Sequence, residues 1–319
     1  KVAANEPDNQ ARVWDVATGK ALLEAPADLG GVYIDAAGTQ ALVANVDRDQ
    51  QASYLTLFDL ASGAVQKKLD VTDAGTVKEA VFSPDASHVA IAMDAALLLF
   101  ETAQWKQIMQ PLGAKFSKAG ALKFTRDGAL LFAGTSTGSV VVVPLANPDS
   151  TLQAEVPHTS GVRTLALAED AGLLFTASDD RTIHEYAIPN LDLVRVIRGH
   201  DGAVFDVAVD ATATVMASAS PDGITKLWDL RADLDRYYDH NADTTQATVF
   251  APESGMLAIA IPQGVLLADA ATQVTKRLLP VKDGEVKLLA WDPAGTRLAV
   301  YRQTGPGGAV TIQDTAGEG

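Results

Sequence analysis

Apolar residues recur at every second position along this chain in short runs, and each run closes on Pro, Asp, Ser or Gly. Val77-x-x-Ala80-x-Phe82 leads into Ser83-Pro84-Asp85, Leu122-x-Phe124 into Thr125-Arg126-Asp127-Gly128, and Val286-x-x-Leu289-x-Trp291 into Asp292-Pro293-Ala294-Gly295. Val162-x-x-Leu165-x-Leu167, Val204-x-x-Val207-x-Val209 and Val249-Phe250-Ala251-Pro252 are related versions. A period of two places neighbouring side chains on opposite faces of a strand, and the closing residues are good turn formers. A second strand is predicted after each of these turns, over Val89–Met93, Leu130–Ala133, Leu173–Ala177, Val215–Ala219, Leu257–Ile261 and Leu298–Tyr301. A third follows each of them, and no helical period intervenes.

The third strands often end in an apolar or aromatic pair followed by an acid, as in Val13-Trp14-Asp15, Leu57-Phe58-Asp59, Leu99-Phe100-Glu101 and Leu227-Trp228-Asp229. Anchored on residues 15, 59, 101, 144, 187, 229, 269 and 314, the spacings are 44, 42, 43, 43, 42, 40 and 45. A repeat near 43 residues with four short strands makes a small antiparallel sheet that cannot bury both of its faces alone, whereas radial packing of several such sheets can. The expected fold is all-β, a β-propeller of four-stranded antiparallel blades forming one domain over residues 1–319. Its units fall near 1–27, 28–73, 74–113, 114–157, 158–199, 200–240, 241–280 and 281–319. Eight third strands but seven first strands are predicted, because Lys1–Asn5 reads as a second strand. The blade number is therefore seven or eight: eight if strands upstream of Lys1 complete the ring, seven if Lys1–Ala27 is only partly integrated.

Gly199-His200, Ser218, Ser220-Pro221-Asp222-Gly223 and Trp228-Asp229 together resemble a WD repeat, with its Gly-His start and Trp-Asp end. The resemblance implies a buried hydrogen-bonded tetrad tying the strands of one blade together, at His200, Ser218, Asp222 and Trp228. The preceding unit keeps His158, Thr176 and Asp180 but has Tyr186 in place of Trp. The remaining units lack most of the tetrad, which reads as a diverged member of bacterial type. In such propellers the residue after the first apolar anchor of each inner strand commonly faces a partner-binding rim. The matching positions are Lys78, Gly120, Arg163, Phe205, Gln246 and Lys287, with ordinary surface roles as the competing reading. Three bases and an aromatic there imply a protein partner carrying an acidic segment.

Composition narrows the chemistry. A formal charge of −15 over 319 residues lacks the basic footprint that phosphate-backbone binding requires, so nucleic acid is not an expected partner. With no Cys there are no disulfides, thiolate metal sites or thiol nucleophiles. That absence, with a start at Lys1 rather than Met, points toward an exported protein. Apolar runs such as Ala95–Phe100 are too short to span a membrane as a helix.

Gly134-Thr135-Ser136-Thr137-Gly138 matches a nucleophile-elbow pattern, but it falls between two predicted strands rather than before a helix. The five His residues show no metal-ligand spacing: His158, His200 and His240 recur at the loop entering a first strand, while His88 and His184 read as isolated. Asp-rich turns such as Ser178-Asp179-Asp180 lack the ligand pattern of a calcium loop. Gly305-Pro306-Gly307-Gly308 reads as a hairpin turn. Neither a cofactor nor a metal is expected. The functional expectation is a non-catalytic interaction scaffold, the alternative being an enzyme or small-ligand binder that uses a central channel.

Overall fold

The computed structural model describes all residues except 6–9, 16–17, 28–30, 48–51, 109–118, 211, 232–233, 240–246, 253–254, 262–263, 270–273, 282–283, 305–306 and 316–319. Among the described residues the strands form eight antiparallel sheets, six of four strands and two of three, and the strands of each sheet pair in chain order. Helix is confined to single 3-10 turns such as Thr72–Ala74 and Glu169–Ala171. The fold is an all-β propeller with eight sheets, one per sequence repeat. Residues Lys1–Ala27 supply a sheet of their own, with Val2–Asn5, Gln10–Trp14 and Ala21–Pro26 paired in turn. Partial integration of this segment, the basis for counting seven, is not what is found.

Two compact units contain the sheets: Lys1–Pro157 with Pro189–Leu191, and His158–Ile188 with Asp192–Gly319. In the first unit, the third sheet shows why its strands read as nearly continuous apolar runs. Along His88–Met93, Val89, Ile91 and Met93 enter a core shared with Leu42, Leu55 and Leu57 of the second sheet. The alternate residues Ala90 and Ala92 enter another core with Leu122, Phe124 and Leu131 of the fourth. Both faces of the strand are buried, so strict alternation of apolar and polar residues disappears. Each large side chain buried this way contributes roughly 1.5–3 kcal/mol.

The second unit repeats the arrangement. Ala166, Phe175, Ala177 and Ile183 of the fifth sheet pack on Val204, Val207, Met216 and Trp228 of the sixth, and Ala258, Val265 and Leu267 of the seventh pack on Leu298 and Val300 of the eighth. Polar links join neighbouring sheets here. Val204 N–H donates to Ser178 O at 2.9 Å, Arg195 Nη2 to Leu230 O at 3.2 Å, and Trp291 Nε1 to Val249 O at 3.2 Å.

The chain-wide turn chemistry follows from short polar side chains capturing backbone amides. Asp15 accepts from the N–H of Thr18 at 2.9 Å and Asp59 from that of Ser62 at 2.8 Å. These Asx turns are the physical reason for the acid that closes several third strands.

Candidate functional site

In the sixth sheet, Val215–Ala219 and Ile224–Asp229 are the middle strands, and their register sets Met216 opposite Trp228 and Ser218 opposite Lys226. Ser218 thus lies within reach of the Trp228 ring nitrogen, which donates to Ser218 Oγ at 2.8 Å. The loop entering the first strand brings His200 over the same hydroxyl, with Nε2 2.7 Å from Ser218 Oγ and Nδ1 2.8 Å from Asp222 Oδ2. Asp222 also accepts from the N–H groups of Asp201 and Ile224. His200, Ser218, Asp222 and Trp228 are therefore brought together, with the first two and Trp228 buried. Burial lowers the His200 pKa, and the Asp222 carboxylate beside it offsets only part of that effect.

The fifth sheet builds a variant of this cluster. His158 Nε2 lies 2.7 Å from Thr176 Oγ1 and Nδ1 2.9 Å from Asp180 Oδ2. Burial works against ionisation of Asp180, but hydrogen bonds from Thr182 and Thr159 and the neighbouring His158 outweigh it and hold the pKa at about 2. In Tyr186, standing in the Trp position, Oη lies 2.9 Å from His184 Nδ1.

His184 is thus not the isolated strand residue expected from sequence. Strand pairing sets it opposite Thr176, and its ring stacks on His158 with centroids 3.7 Å apart and planes 22° apart. Donor atoms of His158, Asp180 and His184 lie within 4.8 Å of one another, a grouping that no linear spacing announced. Stacked imidazoles direct their in-plane lone pairs side by side rather than at one point. Both His158 nitrogens and His184 Nδ1 are already hydrogen-bonded, so a metal ion would have to displace these bonds.

Four of the six positions expected at a rim share one backbone device. Pairing in the first strands jumps from Val77 to Glu79, Ala119 to Ala121, Val162 to Thr164 and Val286 to Leu288. Lys78, Gly120, Arg163 and Lys287 are the residues passed over, each the extra residue of a β-bulge. A bulge turns its side chain out of the ladder, which is how such positions come to be re-aimed. Phe205 immediately precedes the strand Asp206–Val209 and is 40% exposed. Gln246 lies outside the described residues.

Each base has its own acid: Lys78 Nζ is 3.0 Å from Asp94, Arg163 Nε 2.7 Å from Asp179 and Lys287 Nζ 2.8 Å from Glu285. The three bases are thus compensated in place: the turn between second and third strands brings Asp94 to Lys78 and Asp179 to Arg163, while Glu285 precedes Lys287 on its own strand. Arg163 and Phe205 are brought together, with the guanidinium 5.3 Å from the ring centroid.

Sequence reasoning missed Glu79, which follows the Lys78 bulge. Its Oε2 is shielded and has no hydrogen-bond partner. Burial lifts its pKa to about 7, against the opposing pull of the Leu122 amide and Lys123. Burial and the charge of Glu79 also push the Tyr33 hydroxyl upward, while that hydroxyl donates to Lys78 O at 3.3 Å. A lone Glu in an apolar strand was the available signal; its neighbours come from other sheets. The Gly134–Gly138 segment runs from one strand into the next, Val140–Pro144, and Thr135 Oγ1 accepts from Ser139 N–H, so it forms a strand turn and no elbow before a helix.

Residues 150–186 and 191–229 match the family described as "WD domain, G-beta repeat". The chain is 31% identical over 169 residues to the WD repeat-containing protein SL1-17 of Schistosoma mansoni, a match covering 52% of this chain and 53% of that protein. It is 26% identical over 152 residues to COMPASS component SWD3 of Saccharomyces cerevisiae, covering 47% of each. The matches support a WD-repeat β-propeller. The segments matched by the family are those carrying the two His-centred clusters.

A chain in a solved structure described as "Crystal Structure of Mitotic Checkpoint Complex" shares the fold, with a TM-score of 0.70 over 89% of this chain and 88% of that one at 14% identity. The chain spans about half the length of the two curated relatives named. Both are eukaryotic, and nothing in them supports the bacterial type expected from the degenerate repeats. Among the described residues no helix is long and apolar enough to cross a membrane.

Proposed function

We propose that this chain is a non-catalytic protein–protein interaction scaffold and a subunit of a larger assembly, using the bulge residues of its first strands, together with Phe205 at the start of one, as contact points. The observation that carries this reading is the pairing of exposed Phe205 with Arg163, an aromatic and a guanidinium held side by side by two neighbouring WD repeats. Aromatic and Arg residues supply a disproportionate share of interface energy. The description of one relative as a COMPASS component is in keeping with a place in an assembly. An acidic partner segment would engage Arg163 by competing with Asp179, and Lys78 and Lys287 by competing with Asp94 and Glu285. Phe205→Ala and Arg163→Glu should leave the thermal midpoint within a few degrees of wild type, because both side chains are exposed at a rim. Partner recovery in a pull-down should fall severalfold for each variant. Folded variants that recover the same partners as wild type would place the contact surface elsewhere.

A further inference from the structure

Two turns of the third sheet each carry a left-handed side chain where most equivalent turns carry glycine; Leu191 of the fifth sheet and Ala213 of the sixth are single instances of the same kind. Between first and second strands, Gly38, Gly128 and Gly295 take φ values of 65°, 70° and 64° and donate their N–H to the carbonyl three residues earlier. Ala86, at φ 57°, occupies this place in the third sheet and donates to Ser83 O. Between third and fourth strands, Gly19 and Gly63 stand four residues after Asp15 and Asp59, at φ 70° and 71°. Trp105 stands four residues after Glu101, at φ 52°. A bulky residue in the left-handed region is uncommon, and what sets the third sheet apart is that its two such turns meet at one place.

Ala86 and Trp105 line the same cavity, of about 470 Å³, between the second and third sheets of the first unit. Thr102 ties the two turns together, its N–H donating to Ser87 O at 2.9 Å and its hydroxyl to Ala86 O at 2.6 Å. The Trp105 ring packs at a tilt on Phe100, with centroids 6.5 Å apart. Opposite lie Asp35, Gln40 and Gln66. Both Asp35 oxygens are taken up by Thr39 and Gln40, so the carboxylate serves the turn rather than a ligand. Gln40 Nε2 donates to Gln66 Oε1 at 3.0 Å, which leaves the Gln40 carbonyl oxygen as an acceptor beside the Gln66 amide donors.

We infer that this cavity binds a neutral saccharide, with a C–H face against Trp105 and adjacent hydroxyls on the Gln40–Gln66 pair. A sugar hydroxyl both donates and accepts, so two neighbouring hydroxyls complement an acceptor set next to a donor. The C–H face of the ring is the apolar surface an indole accommodates, and the volume lies within the usual range for small-molecule sites. The site does not depend on the rim contacts proposed above.

Saturation-transfer NMR on the full chain with maltose and with cellobiose at millimolar concentration tests it. At least one disaccharide should receive saturation, strongest on its ring C–H protons. Trp105→Gly relieves the left-handed turn but removes the ring from Phe100, so the variant should still unfold cooperatively at a lower midpoint while affinity at a temperature where it is fully folded falls about tenfold or more. Gln66→Ala, on an exposed strand, should weaken binding severalfold. No transfer to either disaccharide, undiminished transfer in Trp105→Gly, or perturbation of Trp105 by a proline-rich peptide and not by sugars would overturn the inference.

Discussion

Asp222 illustrates how much one side chain can organise, since it orients His200 and caps two backbone N–H groups around a hydroxyl that Trp228 also uses. Asp222→Ala strands those donors, and the expected loss is about 1.5–3 kcal/mol, read as a lower midpoint in thermal or urea unfolding. An unchanged midpoint would show that the cluster contributes nothing to stability. The four residues could be named because the resemblance to a WD repeat implies them, and its hydrogen bonds connect positions fixed within one repeat. Glu79 shows the opposite case, for its environment is built by Tyr33, Leu122 and Lys123 from neighbouring sheets. Its folded pKa of about 7 exceeds the ordinary carboxyl value of 4.5. The unfolded chain therefore releases this proton first, and stability falls as pH rises from about 4.5 to 7. Glu79→Gln should raise stability by about 1–3 kcal/mol at pH 8 and have little effect near pH 4.5. Equal effects at both pH values would rule out a proton-linked origin.

Among the elements, strands were legible wherever period two or a fully apolar run met a turn residue. Val215–Ala219 has the bounds expected, while Leu130–Thr135 and Arg297–Thr304 run two and three residues longer than predicted at their C-terminal ends. The extensions are mostly polar or small residues continuing the ladder, where pairing to a neighbour rather than side-chain character decides the end. Turns were recognised by their Gly, Asp and Pro, but those without glycine conceal their conformation. Ala213 is left-handed at φ 51°, with its N–H on Asp210 O at 3.0 Å, in the place Gly128 and Gly295 hold elsewhere. Ala213→Gly should therefore stabilise the protein by about 0.5–1 kcal/mol, relief of the Cβ clash exceeding the added freedom of the unfolded chain. A lower midpoint in the variant would mean that packing of the Ala213 methyl on the core outweighs the backbone term.

For the molecule as a whole, a net charge of −15 means that surface acids repel one another in the folded state. Raising NaCl from about 20 to 300 mM brings the screening length well inside the molecular dimensions. The unfolding midpoint should rise, by ~2–4 °C or less for each kcal/mol of repulsion screened. A midpoint that falls with salt would give the local pairs, such as Arg195 with the buried Glu185, more weight than the overall charge. Comparison with the COMPASS component and SL1-17 carries identity along about half the chain, whereas the fold likeness to the mitotic checkpoint chain covers nearly all of it. Most repeats form their sheets without the tetrad, because alternation and turns can be satisfied by many residues and a hydrogen-bonded network by few.

Repeat length, strand alternation, turn residues and the Trp-containing tetrad are local properties, set by residues within some 43 positions of one another. Repeat, alternation and turns are enough to specify an all-β propeller from the amino-acid sequence alone, and the resemblance to a WD repeat implies the one buried network. The stacking of His184 on His158 and the ion pairs that neutralise Lys78, Arg163 and Lys287 arise from register and bulges that leave no mark in composition. The shielding of Glu79 Oε2 and the cavity under Trp105 arise where one sheet meets the next. Such features depend on which faces of different repeats are pressed together, and that is settled only when the sheets pack.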